Sequence, residues 1–275
     1  MKLISWNIWG MPIINSNSYM STIECIQETI DNYDKTYELQ IFSIQECWVW
    51  RAGIFYKITK EFMNITPNWL LCILHIISII ITSLFIGGNY NPLEYVKFKE
   101  NLYIYQDNTI KMGKLMNSGL AIITNQEADD YGFEYFKCNK GLEKMASKGF
   151  QYIYYDNINT IIINIHLQSG QKMIIKENQL KQIKKFINNY KQCNIFIIGD
   201  YNIDINETGN DNIKSILGLI KINDTEITTI ENKSYDHCYT NVELDLENSN
   251  YEIYEDKKSD HYKLTININK DLRLV

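Results

Sequence analysis

The chain lacks paired cysteines: its six (Cys25, Cys47, Cys72, Cys138, Cys193 and Cys238) are scattered singly over 275 residues, none in a CxxC or other metal-finger spacing. That argues against a zinc-finger module and leaves reduced, isolated thiols as the expectation. Proline is nearly absent, with three residues, and no Gly/Ser linker, internal repeat or composition break interrupts the sequence. One domain over residues 1–275 is therefore expected. An excess of basic charge is missing too, since 27 Lys and Arg stand against 33 Asp and Glu for a net charge of -6. A non-specific nucleic-acid partner is disfavoured on that ground, and nothing in the pattern marks a protein partner. The first ten residues, MKLISWNIWG, hold too short an apolar stretch for a cleavable signal, so a cytoplasmic location is expected. Histidine is scarce, with four residues, which makes the position of each informative.

What is abundant is apolar: 45% of residues are hydrophobic, enough to fill the core of a large α/β domain. One run, residues 69–86 (WLLCILHIISIIITSLFI), carries no formal charge and is bounded by Pro67 and by Gly87–Gly88. As a helix it would span about 27 Å, at the short end of what crosses a bilayer. It reads either as buried core, helical or as two strands, or as a hydrophobic insertion (about residues 67–88) that contacts membrane. His75, Ser78, Thr82 and Ser83 lie within it and no Lys/Arg cluster flanks it, so a full span lacks the usual flanking charge.

Elsewhere the pattern alternates. Strands are expected at KLISWNI, LQIFSIQE, NSGLAIIT, FQYIYY, TIIINIHL, NIFIIGD, YEIYE and KLTININ. Helical spacing marks residues 19–33 and, more clearly, 174–190, where Ile175, Leu180, Ile183 and Ile187 recur among Lys, Gln and Asn. A further helix is expected over 47–62. Strands and helices mixed in this way favour a layered α/β (α+β) domain.

Several of these apolar strands stop at a polar residue. Asn7 follows KLISW, Glu46 follows IFSIQ, His166 follows IIINI, Asp200 and Asn202 end NIFIIG, Asp236 and His237 sit in SYDHCYTN, and Asp260 and His261 precede KLTI. Each has an ordinary reading: Gly-Asp-x-Asn makes an Asx turn as readily as a site, a lone His is commonly a hydrogen-bonded surface residue, and Glu46 is a candidate helix cap. Three of four histidines at such ends shift the balance, because sites in α/β sheets gather where strands stop. Phosphoryl-ester cleavage fits the set. A carboxylate such as Glu46 is a hard oxygen ligand for Mg²⁺, the metal neutralises charge on phosphoryl oxygens, and a His held by a carboxylate can take a proton from water near neutral pH.

In order along the chain, SWNIWG, SIQE, NSGLAI, NIHLQ, IIGDYNID, YD and SDHY resemble the endonuclease/exonuclease/phosphatase superfamily. The resemblance implies a DNase I-like four-layer sandwich, two packed mixed β-sheets flanked by α-helices, with a metal-dependent phosphodiesterase site at one rim. ASKGFQYIYY, IHLQSG and KENQLKQIKKFI are most similar to neutral sphingomyelinases. That likeness implies Glu46 as principal Mg²⁺ ligand, Mn²⁺ substituting, with Asn7 beside it. It implies His261 as general base oriented by Asp236, and Asp200 with Asn202 placing the nucleophile and phosphate. His166 would donate to the phosphoryl oxygens, Asp260 would support the metal and the SDH turn, and Lys148 would meet the lipid phosphate as a point charge; taken alone, Lys148 reads equally as a solvated surface lysine. His237 stands where the family has an aromatic, and residues 48–116 match nothing in it. The function implied is hydrolysis of sphingomyelin or a related phospholipid at a membrane, to ceramide and a phosphorylated head group. The competing readings are a DNA or RNA nuclease on the same fold and an inactive membrane-binding homologue.

Overall fold

Two six-stranded sheets face each other in the computed structural model, which describes residues 1–8, 16–33, 36–49, 91–99, 101–111, 114, 116–170, 172–207, 209–223, 227–244, 249–255 and 259–268. The apolar run 69–86, and all of the helix expected over 47–62 except residues 47–49, lie outside the described residues; residues 47–49 are not helical. The elements in chain order are β1 (Lys2–Asn7), α1 (Ser16–Asp31), β2 (Gln40–Gln45), β3 (Tyr103–Gln106), β4 (Ala121–Thr124), β5 (Asp130–Tyr135), β6 (Gly149–Tyr155), β7 (Thr160–His166), α2 (Met173–Ile187), β8 (Asn194–Asp200), α3 (Gly209–Leu217), β9 (Ile220–Lys221), β10 (Asp236–Thr240), β11 (Ser249–Tyr254) and β12 (Lys263–Ile268). One sheet runs β11-β12-β1-β2-β4-β3 and the other β5-β6-β7-β8-β10-β9. Each is mixed, with one parallel pair, β1–β2 and β7–β8, among antiparallel neighbours. NSGLAIIT is strand only over its last four residues.

Strands β7 and β8 are buried at every position, which is why they read as continuous apolar runs and not as alternation. Their two faces meet different partners. Ile162, Phe196 and Ile198 pack with Ile153 against Leu3, Ile41, Ile122 and Leu264 of the opposite sheet. Ile161, Ile163, Ile165, Ile195 and Ile197 pack against Leu180, Ile183 and Ile187 of α2 and Ile213 and Leu217 of α3. On the far side Ile4, Trp6, Phe42, Ile44 and Ile123 lie under Ile23, Ile26 and Ile30 of α1. The result is four layers, each interface contributing about 1.5–3 kcal/mol per fully buried large side chain; truncating Phe196 to alanine at the sheet–sheet interface would cost about 3–5 kcal/mol.

One polar cross-link interrupts the apolar layer between the sheets. Gln45 Nε2 donates to Asn164 Oδ1 (2.7 Å) and Ser5 Oγ (3.1 Å), and Asn164 Nδ2 donates to the carbonyls of Ile44 (2.9 Å) and Ala121 (3.1 Å). All three side chains are fully buried. Satisfied networks of this kind fix one relative placement of the layers, and this one lies a residue or two short of the strand ends that carry Asn7, Glu46 and His166.

Candidate active site

Register brings the polar strand ends together. In the second sheet His166 sits directly beside Asp200, and Asp200 beside Asp236. In the first, Asn7 pairs with Gln45, the residue before Glu46. His261 lies just before β12, bridged to Thr229, and its carbonyl accepts from Trp6 Nε1 (3.0 Å). Ser259 Oγ closes the ring by donating to the Asn7 carbonyl (2.6 Å) and accepting from His261 N (3.1 Å). Six strands from two sheets therefore deliver their ends to one rim.

The turn after β2 is built to hold Glu46. Glu46 has φ 61°, a left-handed conformation that costs a non-glycine residue about 1–3 kcal/mol and persists where the surroundings enforce it. The enforcing segment is Asn117–Leu120. Asn117 Oδ1 accepts from Val49 N (2.8 Å) and Gly119 N (3.0 Å), and Cys47 N donates to the Gly119 carbonyl (2.8 Å). Gly119 lies flat against the Trp48 ring, where a Cβ would fall 2.7 Å from it. NSGL is thus the bracket for the Glu46 turn. Gly199 has an equivalent reason: with φ 144°, a Cβ there would sit 2.2 Å from the Ile165 carbonyl, so only glycine lets β7 and β8 close up before Asp200.

Asp200 is the hub. Its Oδ1 accepts from Asn202 N (2.7 Å), and its Oδ2 accepts from Asn202 Nδ2 (3.0 Å) and Asn7 Nδ2 (3.0 Å). The same Asn7 nitrogen reaches Glu46 Oε1 (3.3 Å). His166 Nε2 lies 3.5 Å from Asp200 Oδ2 and 3.8 Å from Glu46 Oε1, too far for hydrogen bonds. Its Nε2 also lies 3.3 Å from Lys148 Nζ, and its Nδ1 has no hydrogen-bond partner among the described residues. Lys148 is buried, 3% exposed, and is held by Glu143 Oε1 (2.9 Å) and the Leu167 carbonyl (3.1 Å). It is no solvated surface lysine. Across the hub, His261 Nδ1 meets Asp236 Oδ2 at 2.8 Å while its Nε2 faces Asp200 Oδ2 at 3.9 Å.

Electrostatics separates the two histidines. Burial and the Lys148 ammonium hold His166 well below the usual imidazole range, so it is neutral. Burial also opposes charge on His261, but the facing carboxylates of Asp236, Asp200 and Asp260 outweigh it and push its pKa up to about 10. Burial raises Glu46, with Lys148 and His261 pulling the other way, and raises Asp200 against the pull of His261 and its three N–H donors.

The donor set fits a hard divalent cation. Glu46 and Asp200 converge on one amide nitrogen of Asn7, an arrangement of like charges that a cation stabilises, and the oxygens they offer suit Mg²⁺ or Mn²⁺. Asp200, Asp236 and His261 also present ligand atoms within 4.8 Å of one another. There, however, Asp236 Oδ2 and His261 Nδ1 already satisfy each other. The Glu46 carboxylate, 17% exposed against 0% for Asp236, is the accessible end.

All nine candidate site residues lie on this rim, and one of them, Asp260, stands apart in detail. The Asp260 carboxylate reaches Ser259 Oγ at 3.5 Å and influences Glu46 and His261 through charge. His237 points away from the site, fully buried between Tyr201 and Tyr239. Sequence reasoning missed Glu143, Ser259 and Lys176. The Lys176 ammonium donates to the Asn202 carbonyl, and its only signal was a lysine on the apolar side of a helix.

No family model matches the chain, nor does any curated protein. Solved structures do. Staphylococcus aureus beta toxin superposes with a TM-score of 0.67 at 14% identity, over 98% of this chain and 99% of that one. A beta-toxin mutant with bound magnesium ions gives 0.61 at 15%, over 98% and 99%. Sphingomyelinase C from Streptomyces griseocarneus gives 0.64 at 11%, over 98% and 99%, and an endonuclease/exonuclease/phosphatase family protein from Leptotrichia buccalis gives 0.62 at 18%, over 98% and 99%. With two six-stranded mixed sheets, flanking helices and near-complete coverage, the chain has the DNase I-like fold of these structures.

Proposed function

We propose that this protein is a divalent-metal-dependent hydrolase that cleaves sphingomyelin or a related phospholipid to ceramide and a phosphorylated head group. The observation that carries the reading is the Asp236–His261 pair at 2.8 Å, aimed across Asp200 at the Glu46–Asn7 end of the rim. Asp236 accepts from Nδ1, which leaves His261 Nε2 as the atom that takes a proton from attacking water. Asn202 and Asn7 hold the Asp200 carboxylate in place. Lys148 and His166 border the same space from the other side and would face the phosphoryl oxygens as negative charge builds. Glu46, with Asn7, would hold Mg²⁺ or Mn²⁺, which when bound supplies charge neutralisation at the phosphate. Two further elements of the reading rest on sequence: a cytoplasmic location, and membrane contact through residues 69–86.

What favours lipid over nucleic acid is the acidic composition, with its net charge of -6, together with the sphingomyelinase-like motifs around Lys148 and Gln179. The test offers purified protein, with Mg²⁺ or with EDTA, both sphingomyelin vesicles and labelled single- and double-stranded nucleic acid. Head-group release that disappears with EDTA and in His261→Ala supports the proposal. Nucleic-acid cleavage without lipid turnover overturns it in favour of a nuclease, and vesicle binding with neither activity favours an inactive homologue.

A further inference from the structure

Lys176 breaks the local rules of the helix that carries it. α2 starts without a side-chain cap and with no acidic residue in its first turn, and Lys176 adds a positive charge near that end, where the macrodipole disfavours one. The side chain is also 6% exposed, although lysine is among the residues least often buried. Helix packing does not ask for it, since Leu180, Ile183 and Ile187 already cover the sheet. Such violations occur where a function compensates for them.

The compensation is visible at Asn202. Its φ is 51°, and in that left-handed conformation its main-chain N–H and its side-chain amide both reach one carboxylate, at 2.7 Å and 3.0 Å, while the amide also donates to the Leu167 carbonyl at 3.2 Å. Lys176 Nζ donates to the carbonyl oxygen of the same residue, which fixes ψ, the torsion that sets the direction in which the chain leaves the clamp. We infer that Lys176 is a positioning residue: by tethering the Asn202 carbonyl it locks the left-handed turn whose two N–H groups hold Asp200 at the centre of the site. Its effect on turnover rests on the hydrolase reading above; the tether itself does not.

The test compares the full chain with Lys176→Met, which keeps the aliphatic stem and removes the donor, and Lys176→Arg, which restores a donor. Amide hydrogen exchange reads the tether directly. Exchange at Asn202 N–H is expected to quicken about tenfold or more in Lys176→Met, with Ile163 and Ile197 unchanged and with recovery in Lys176→Arg. With Mg²⁺ and the soluble diester bis(p-nitrophenyl) phosphate, kcat is expected to fall about 10–100-fold in Lys176→Met with KM within about twofold, and to recover in the arginine variant. Unchanged exchange at Asn202 overturns the inference. So does faster exchange throughout β7 and β8, which would make Lys176 a general support of the fold, and so does unchanged kcat alongside loosened Asn202. If the parent protein cleaves neither this diester nor sphingomyelin, the hydrolase reading fails while the exchange data still decide the tether.

Discussion

His166 and His261 lie on either side of one carboxylate, Asp200, at 3.5 Å and 3.9 Å, and their surroundings push their pKa values in opposite directions. Burial is common to both, so burial does not decide. The neighbours do: an ammonium beside His166 and three carboxylates around His261. In the proposed hydrolase, two copies of one side chain would thereby take different tasks, a neutral ring bordering the phosphate space and a ring that carries a proton. The charges of the protein alone make His261 an imidazolium at pH 7, whereas a general base must be neutral. A divalent cation held at Glu46 and Asp200 would compete for the same carboxylates and so would lower the His261 pKa from about 10.

The strongest way to break the comparison is to remove the proton-carrying side. His261→Ala is expected to lower kcat on sphingomyelin about 10⁴-fold, the upper end for a general base, with circular dichroism unchanged. His166→Gln removes the neutral ring and is expected to cost about 10²-fold in kcat, as loss of one transition-state donor does. A smaller loss for His261 than for His166 would reverse the assignment of roles. Glu46→Gln is expected to weaken Mg²⁺ binding by about 100-fold, read by isothermal titration, without changing the Asp236–His261 pair. Unaltered Mg²⁺ affinity would move the metal to the Asp200–Asp236–His261 group.

Titration sharpens the same contrast. His261 has a folded pKa raised from the ordinary imidazole value of 6.5 to about 10, so its contribution to stability is fully present below 6.5 and is lost as pH rises towards 10. His166 is depressed below the same ordinary value, so its contribution is present above 6.5 and is lost as pH falls below it. Asp236→Asn, which removes the carboxylate bonded to Nδ1, should therefore reduce stability most near pH 6 and progressively less towards pH 10, as followed by chemical denaturation. A deficit independent of pH would show that the pair does not titrate as the geometry requires. By NMR, the His261 ring should titrate near 10 without Mg²⁺ and lower with it, while His166 stays neutral throughout.

The sheets were legible in the sequence where both faces are buried. β7 and β8 announce themselves as apolar runs, and α2 shows its covered face at Leu180, Ile183 and Ile187. β5 was not, because an edge strand reading DYGFEY with mostly exposed positions carries no periodic signal, and neither was β10, whose DHCYT is fully buried yet polar at three of five positions. The polar strand ends could be picked out one by one, because each follows an apolar run. Their convergence could not be read from local pattern, since Trp6 and His261 are hydrogen-bonded across a separation of 255 residues; it came from the ordered family motifs. Lys148 was ambiguous, and Lys176 was passed over, for another reason: a lysine beside apolar residues looks the same in sequence whether its ammonium reaches solvent or turns inward.

A third histidine supplies the control for the other two. His237 follows Asp236 directly, but strand alternation sends it to the opposite face, where it is fully buried between Tyr201 and Tyr239 with Nε2 at 3.4 Å from the Ile203 carbonyl. Burial, with Lys221 adding to it, lowers its pKa to about 3. It fills an aromatic position in the core, so His237→Phe should leave kcat unchanged and alter stability at pH 7 by less than about 1 kcal/mol. Acid should reveal the difference. Between 6.5 and 3 the unfolded chain takes up a proton that the folded histidine refuses, at about 1.4 kcal/mol per pH unit, and phenylalanine removes that penalty. At pH 5 the variant is therefore expected to gain about 2 kcal/mol over the parent by denaturant titration. A variant that loses activity at pH 7 would place His237 in the machinery beside His166 and His261, and the contrast between those two would no longer account for the site.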